Sequence, residues 1–119
     1  SILITWDRDV VERVQAALCE QVDALERSQL TIAALESFGA TILVRDPQQA
    51  CELTSLLAPE HLHIACQNAR ELMRKIPTAG ATFLGPFSPV ALGDYAAGPS
   101  HVLPTGGTAR WASGLSSNH

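Results

Sequence analysis

The sequence predicts a three-layer α/β/α domain with a mainly parallel sheet, followed by a long Gly/Pro-rich C-terminal segment. Three observations carry that prediction. Short continuous apolar runs alternate with stretches of helical periodicity, which is the pattern of βαβ crossovers around strands covered on both faces. The 119 residues, 46% hydrophobic and 17% charged, suffice for one core that buries roughly two-thirds of the unfolded chain's surface. From Gly85 the composition changes: the last 35 residues hold six of the eight glycines and four of the seven prolines, with Asp94 and Arg110 their only charged residues.

The elements follow in order. Ile2-Leu3-Ile4 reads as a buried strand entered without a preceding turn or cap, as at the first residue of a fragment. Asp7 caps a long helix in which Val10, Val14, Ala17, Leu18, Val22 and Leu25 keep helical spacing, while Glu12, Arg13, Glu20 and Glu26 fall largely off that stripe. Leu30 to Phe38 is a second apolar helix stopped by Gly39, and Thr41-Ile42-Leu43-Val44 is a β-branched strand. Asp46-Pro47 sets a capping carboxylate before proline at the first helical position, and the helix runs to about Leu57, where Pro59 closes it. Leu62 to Cys66 is a strand, Asn68 caps a helix carrying Leu72, Met73 and Ile76, and Thr82-Phe83-Leu84 is a short strand after Gly80.

Residues 1–84 are thus expected to form the α/β core, and residues 85–119 a segment of the same domain without regular helix or strand. Disordered tails are usually charged and poor in aromatics, whereas Phe87, Tyr95 and Trp111 lie here. The segment is expected to pack against something and to carry part of a site.

Composition also excludes. Eight basic against twelve acidic residues give a net charge of −4, opposite to the basic footprint a phosphate backbone requires, so nucleic acid is not an expected partner. No apolar run approaches the ~20 residues that cross a bilayer, and the N-terminus lacks a basic region and cleavage site, so neither membrane nor secretion is expected. Cys19, Cys51 and Cys66 are odd in number and widely spaced, which suits core or helix-face thiols in a reducing cytoplasm better than disulfides or a Cys-x-x-Cys metal site.

Three places could carry chemistry. Glu60 and His61 follow Pro59 between a helix and a strand; they read either as a solvated loop pair or as an acid/base pair able to manage successive proton transfers. Asp94, between Gly93 and Tyr95, is either the organiser of an Asx turn or a lone carboxylate for a borderline cation. His101 opens an apolar stretch as a half-buried histidine bonded to backbone, and His63 fits a strand surface. Gly106-Gly107-Thr108 matches a phosphate cradle weakly: no Gly-x-Gly-x-x-Gly follows the first strand and no Walker lysine is present, so no self-contained nucleotide site is expected.

Taken together, Leu57-Ala58-Pro59-Glu60-His61-Leu62, Ala79 to Gly85 and Ser88 to Thr105, with Gly107-Thr108-Ala109-Arg110 and Ser113-Gly114-Leu115, resemble the histidinol dehydrogenase family. The resemblance implies a Rossmann-like domain and a zinc-dependent, homodimeric, cytoplasmic enzyme that oxidises L-histidinol to L-histidine through histidinaldehyde, reducing two NAD and completing histidine biosynthesis. It implies that Glu60 activates water, that His61 accepts and returns protons at the reacting oxygen, and that Asp94 is a zinc ligand. His101 and Tyr95 then belong to the substrate pocket with His61 and Asp94. The family chain is several times longer. Its remaining zinc ligands, and most residues that contact the cofactor, have no counterpart here, so no cofactor-binding residue is expected and the isolated chain is expected to be inactive. Within the same scaffold, a paralogue acting on another small polar alcohol, such as a sulfonated diol, is the alternative. A non-catalytic α/β interaction domain is the alternative from a different class.

Overall fold

The computed structural model describes residues 1–115; positions 116–119, the end of the expected C-terminal segment, lie outside the described residues. The chain divides into two compact units, Ser1–Ala50 and one beginning at Cys51.

In the first unit, strands β1 (Ile2–Thr5) and β2 (Ala40–Leu43) pair in parallel, Ile2 opposite Ala40 and Thr5 opposite Leu43. The ladder runs one bond further, because the Val44 N–H donates to the Thr5 carbonyl at 2.8 Å. Between the strands run α1 (Arg8–Gln21), a 3₁₀ turn (Val22–Ala24) and α2 (Ser28–Phe38). The Asp7 carboxylate accepts from the Asp9 N–H at 2.9 Å, satisfying one of the donors that a helix start leaves open. The expected single helix through Leu25 is shorter: its α portion ends at Gln21, and Leu25 is extended at φ −78°, ψ 140°. Val22 and Asp23 are weak helix formers, and a tightened last turn closes the end. Gly39 stops α2 for a steric reason. Its φ is an ordinary −76°, but a Cβ there would collide with the Leu35 carbonyl, whose oxygen accepts the Gly39 N–H.

The boundary between the units falls within α3 (Pro47–Leu57). Asp46 Oδ1 accepts the Gln49 N–H at 2.8 Å while Gln49 Oε1 reaches back to the Arg45 N–H at 2.7 Å, a reciprocal cap of the kind that starts helices. At the other end the N–H of Ala58 closes on the Thr54 carbonyl at 3.0 Å, and Ala58 takes the left-handed conformation, φ +46°, although it is an alanine and 1% exposed. That kink turns the chain into Pro59 and the strand after it.

In the second unit, β3 (His61–Ile64) and β4 (Ala81–Leu84) are again parallel, His61 opposite Ala81 and Ile64 opposite Leu84. Among the described residues the strands therefore form two two-stranded parallel sheets, β1 with β2 and β3 with β4. Cys51, Ile64, Ala69, Leu72 and Ile76 make the buried cluster, with Leu62, Cys66, Met73 and Leu84 packed against it. Three expectations are corrected here. The third strand begins at His61, so that residue belongs to the sheet and not to the loop before it. Helix α4 is only Ala69–Met73; Asn68 makes no side-chain cap, and Ile76 is buried from beyond the helix. The C-terminal segment, expected to lack regular structure, contains a helix, α5 (Val90–Tyr95), and a 3₁₀ turn at Thr108–Arg110. Pro89 stands at the N-cap, extended at φ −67° and ψ 153°, and the helix follows it at Val90-Ala91-Leu92. Among the described residues no helix is long and apolar enough to cross a membrane.

Candidate active site

Parallel pairing begins just ahead of β3: the Gly80 N–H donates to the Pro59 carbonyl at 2.9 Å and the Ala81 N–H to the Glu60 carbonyl at 2.8 Å. Gly80 is required there, because a Cβ would stand 2.6 Å from the Glu60 oxygen and 3.2 Å from Pro104 Cδ. The backbone on both sides of Glu60 and His61 is therefore fixed by the sheet. These residues lie at the N-terminal end of β3, not at the C-terminal strand ends where α/β proteins usually hold ligands.

His61 is the centre of the cluster. Its Nδ1 is 3.9 Å from Glu60 Oε1 and its Nε2 is 3.8 Å from Asp94 Oδ1, with all three side chains half-buried. Those separations are ion-pair distances, too long for hydrogen bonds. Nε2 is sealed from solvent and has no hydrogen-bond partner. The imidazole stacks on Phe83, ring centroids 6.2 Å apart and planes inclined by 29°. Asp94 arrives from α5, so the reading of Gly93-Asp94 as an Asx turn is overturned: the carboxylate sits on a helix, beside a buried glycine. An imidazole between two carboxylates can take up a proton with its new charge flanked by negative charge, and a neighbouring carboxylate can receive a proton from water.

A cavity of about 220 Å³ adjoins the cluster, with Asp94, Phe83, Gly93, Ser100 and Leu103 in its wall. Glu60 and His61 are not among its lining residues. Tyr95, one position beyond Asp94, is 87% exposed, and His101 is exposed next to the cavity-lining Ser100. The structure thus brings Glu60, His61 and Asp94 together and leaves Tyr95 and His101 at the surface. His63 is also at the surface, as expected of it, and its Nε2 bonds the Gly85 carbonyl at 2.7 Å.

Whether the chain suits zinc is decided by its donors. The Asp94 carboxylate, at the cavity wall, is an oxygen ligand of the kind zinc accepts. Among the described residues no three His, Cys, Asp or Glu side chains converge to hold a metal. Asp94 therefore fits one position of a coordination shell whose other positions the described residues do not complete.

Sequence reasoning did not single out Phe83, Gly80, Gly93 or Arg110. Phe83 reads as one more apolar strand residue, and no local pattern signals its stack on His61. The Gly106-Gly107 turn has positive φ at both residues, +58° and +81°. The Arg110 guanidinium lies against this turn, donating to the Gly107 carbonyl at 3.1 Å and to the Leu56 carbonyl at the end of α3.

Against this geometry, comparison with known proteins gives one consistent answer. The family model described as histidinol dehydrogenase matches residues 1–119. A histidinol dehydrogenase of Rhodopirellula baltica is 58% identical over 118 residues, 99% of this chain and 26% of that protein. One from Cupriavidus pinatubonensis is 46% identical over 115 residues, 97% of this chain and 26% of its own length. The crystal structure of histidinol dehydrogenase from Elizabethkingia anophelis superposes with a TM-score of 0.87 at 36% identity, covering 97% of this chain and 26% of that one. The chain thus spans about a quarter of the length of the curated relatives it matches.

Proposed function

Because this chain belongs to the histidinol dehydrogenase family, we propose that it supplies the acid/base part of the active site of a longer, homodimeric, cytoplasmic enzyme. That enzyme oxidises L-histidinol to L-histidine through histidinaldehyde, with zinc and two NAD, as the last step of histidine biosynthesis. In this reading residues 1–84 are the core of a three-layer Rossmann-like domain and residues 85–119 are its active-site segment. The observation that carries the proposal is the placement of His61 between Glu60 and Asp94, with a sealed and unpartnered Nε2.

His61 takes the hydroxyl proton of histidinol as the carbinol carbon gives up a hydride, which leaves the aldehyde. His61 returns its proton to the aldehyde oxygen as Glu60 takes one from the water that adds to the carbonyl carbon; His61 then takes a hydroxyl proton of the hydrate as that carbon gives up a second hydride, and the carboxylic acid formed releases its proton to solvent as the carboxylate. NAD, which parts of the longer chain would hold, would supply the hydride acceptor for each half. Asp94 would be a zinc ligand, and zinc when bound supplies the positive charge that holds the substrate's amine and imidazole. His101 and Tyr95 would complete the substrate pocket with His61 and Asp94.

The test is L-histidinol-dependent NADH formation by the full-length chain with zinc present, against its Glu60→Gln variant. Expected are two NADH per histidinol in the wild type and a fall of roughly 10²- to 10⁴-fold in the variant, the usual contribution of a positioned acid/base group. A folded, zinc-loaded wild type that makes no NADH from histidinol would overturn the proposal.

A further inference from the structure

We propose that Phe83 is a positioning residue for this chemistry, holding the His61 imidazole on one face while its other contact, with Gly93, sets how close α5 brings Asp94. The inference rests on the acid/base role of His61 given above. No hydrogen bond among the described residues orients the His61 ring; its two carboxylate neighbours stand 3.8 and 3.9 Å away. Orientation must then come from packing. His63 is the direct partner of Phe83 across the sheet and His61 lies two residues earlier on the same face, so the Phe83 ring leans diagonally to meet His61 at 6.2 Å. Offset aromatic contacts of this kind favour one relative ring geometry over free rotation.

The ring's far edge is equally constrained. A Cβ at Gly93 would lie 2.7 Å from both Cε1 and Cζ of Phe83, so the ring rests directly on the backbone of α5. Gly93 is buried and Asp94 follows it. The stack His61, Phe83, Gly93 is therefore a spacer that ends one residue from the carboxylate facing Nε2. A methyl at Gly93 must push either the ring toward His61 or the helix away from the sheet, and both displace Nε2 relative to Asp94. This explains why a glycine stands in the middle of a six-residue helix that it otherwise weakens.

The test uses the full-length chain and the substitutions Gly93→Ala and Phe83→Leu, singly and together. Gly93 offers no side chain to substrate, so Gly93→Ala is expected to lower kcat roughly 10- to 100-fold, the scale of a sub-ångström to ångström misplacement of catalytic groups. KM should stay within about threefold. Leucine has no atoms at the Cε1 and Cζ positions, so the double variant is expected to be no slower than Phe83→Leu alone. The His61 ring-proton resonances, displaced by the Phe83 ring current, should move in Gly93→Ala.

Wild-type kcat and unmoved His61 resonances in Gly93→Ala would overturn the proposal, as would fully multiplicative losses in the double variant. Should Gly93→Ala not fold, Phe83→Leu decides: a kcat lowered about tenfold or more at an unchanged melting temperature supports positioning, and wild-type kcat overturns it. If the wild type does not oxidise histidinol, the reading of function has failed, and the His61 resonances alone decide whether Phe83 and Gly93 set the ring.

Discussion

Cys51 is 2% exposed among Ile64, Leu72 and Ile76, and its burial pushes the thiol above its ordinary value of 9.0. The folded chain keeps a proton that the unfolded chain releases near that value. The stabilisation is therefore complete below pH 9.0 and is lost as pH rises from there through the folded value. Thermal melts at about pH 8 and about pH 10 should show a fall in Tm that is smaller in Cys51→Ala than in wild type; equal falls would contradict this. At the same scale, Glu60, His61 and Asp94 are legible in sequence as unusual residue types beside Pro59 and Gly93. Their mutual distances are not, because 33 positions separate His61 from Asp94 and only the packing of α5 near β3 closes that gap. Phe83 is illegible for the same reason: its chemistry is a contact, not a composition.

Helix α3 shows how much of an element local sequence can dictate. Asp46-Pro47 is a start signal at the residue level, and the structure begins the helix at Pro47 with the Asp46 carboxylate on the Gln49 N–H. That bond, aided by the neighbouring Arg45 guanidinium, holds the Asp46 carboxyl below its ordinary 3.8. A depressed carboxyl stabilises the fold above the unfolded value and loses that contribution as pH falls through the folded one. Asp46→Asn retains an acceptor without the charge, so its melting temperature should change less than that of wild type as pH drops below 3.8; parallel curves would remove the carboxylate from the account. Helix α5 shows the opposite case. Gly93 and the surrounding Gly/Pro-rich composition argue against a helix, and it forms where Phe83 fills the space a side chain would have taken.

At the scale of the molecule, no three His, Cys, Asp or Glu side chains among the described residues converge to hold a metal, where zinc sites take ~4 ligands. The 119-residue chain alone is therefore expected to bind zinc weakly in equilibrium dialysis, with no further loss in Asp94→Asn, and to give no NADH from histidinol. A tight one-to-one zinc complex of this chain would contradict that expectation. By itself the sequence determined the order of helices and parallel strands as far as β4, the caps at Asp7 and Asp46, and the residue types of the candidate site, because periodicity, capping and turn chemistry act over a few neighbouring residues. The tertiary structure alone decided that His61 enters the sheet, that Asp94 rides a helix, and that the His61 imidazole lies between two carboxylates against Phe83, its Nε2 without a hydrogen bond. Those facts depend on packing between residues distant in sequence, and no local pattern encodes a distance across a fold.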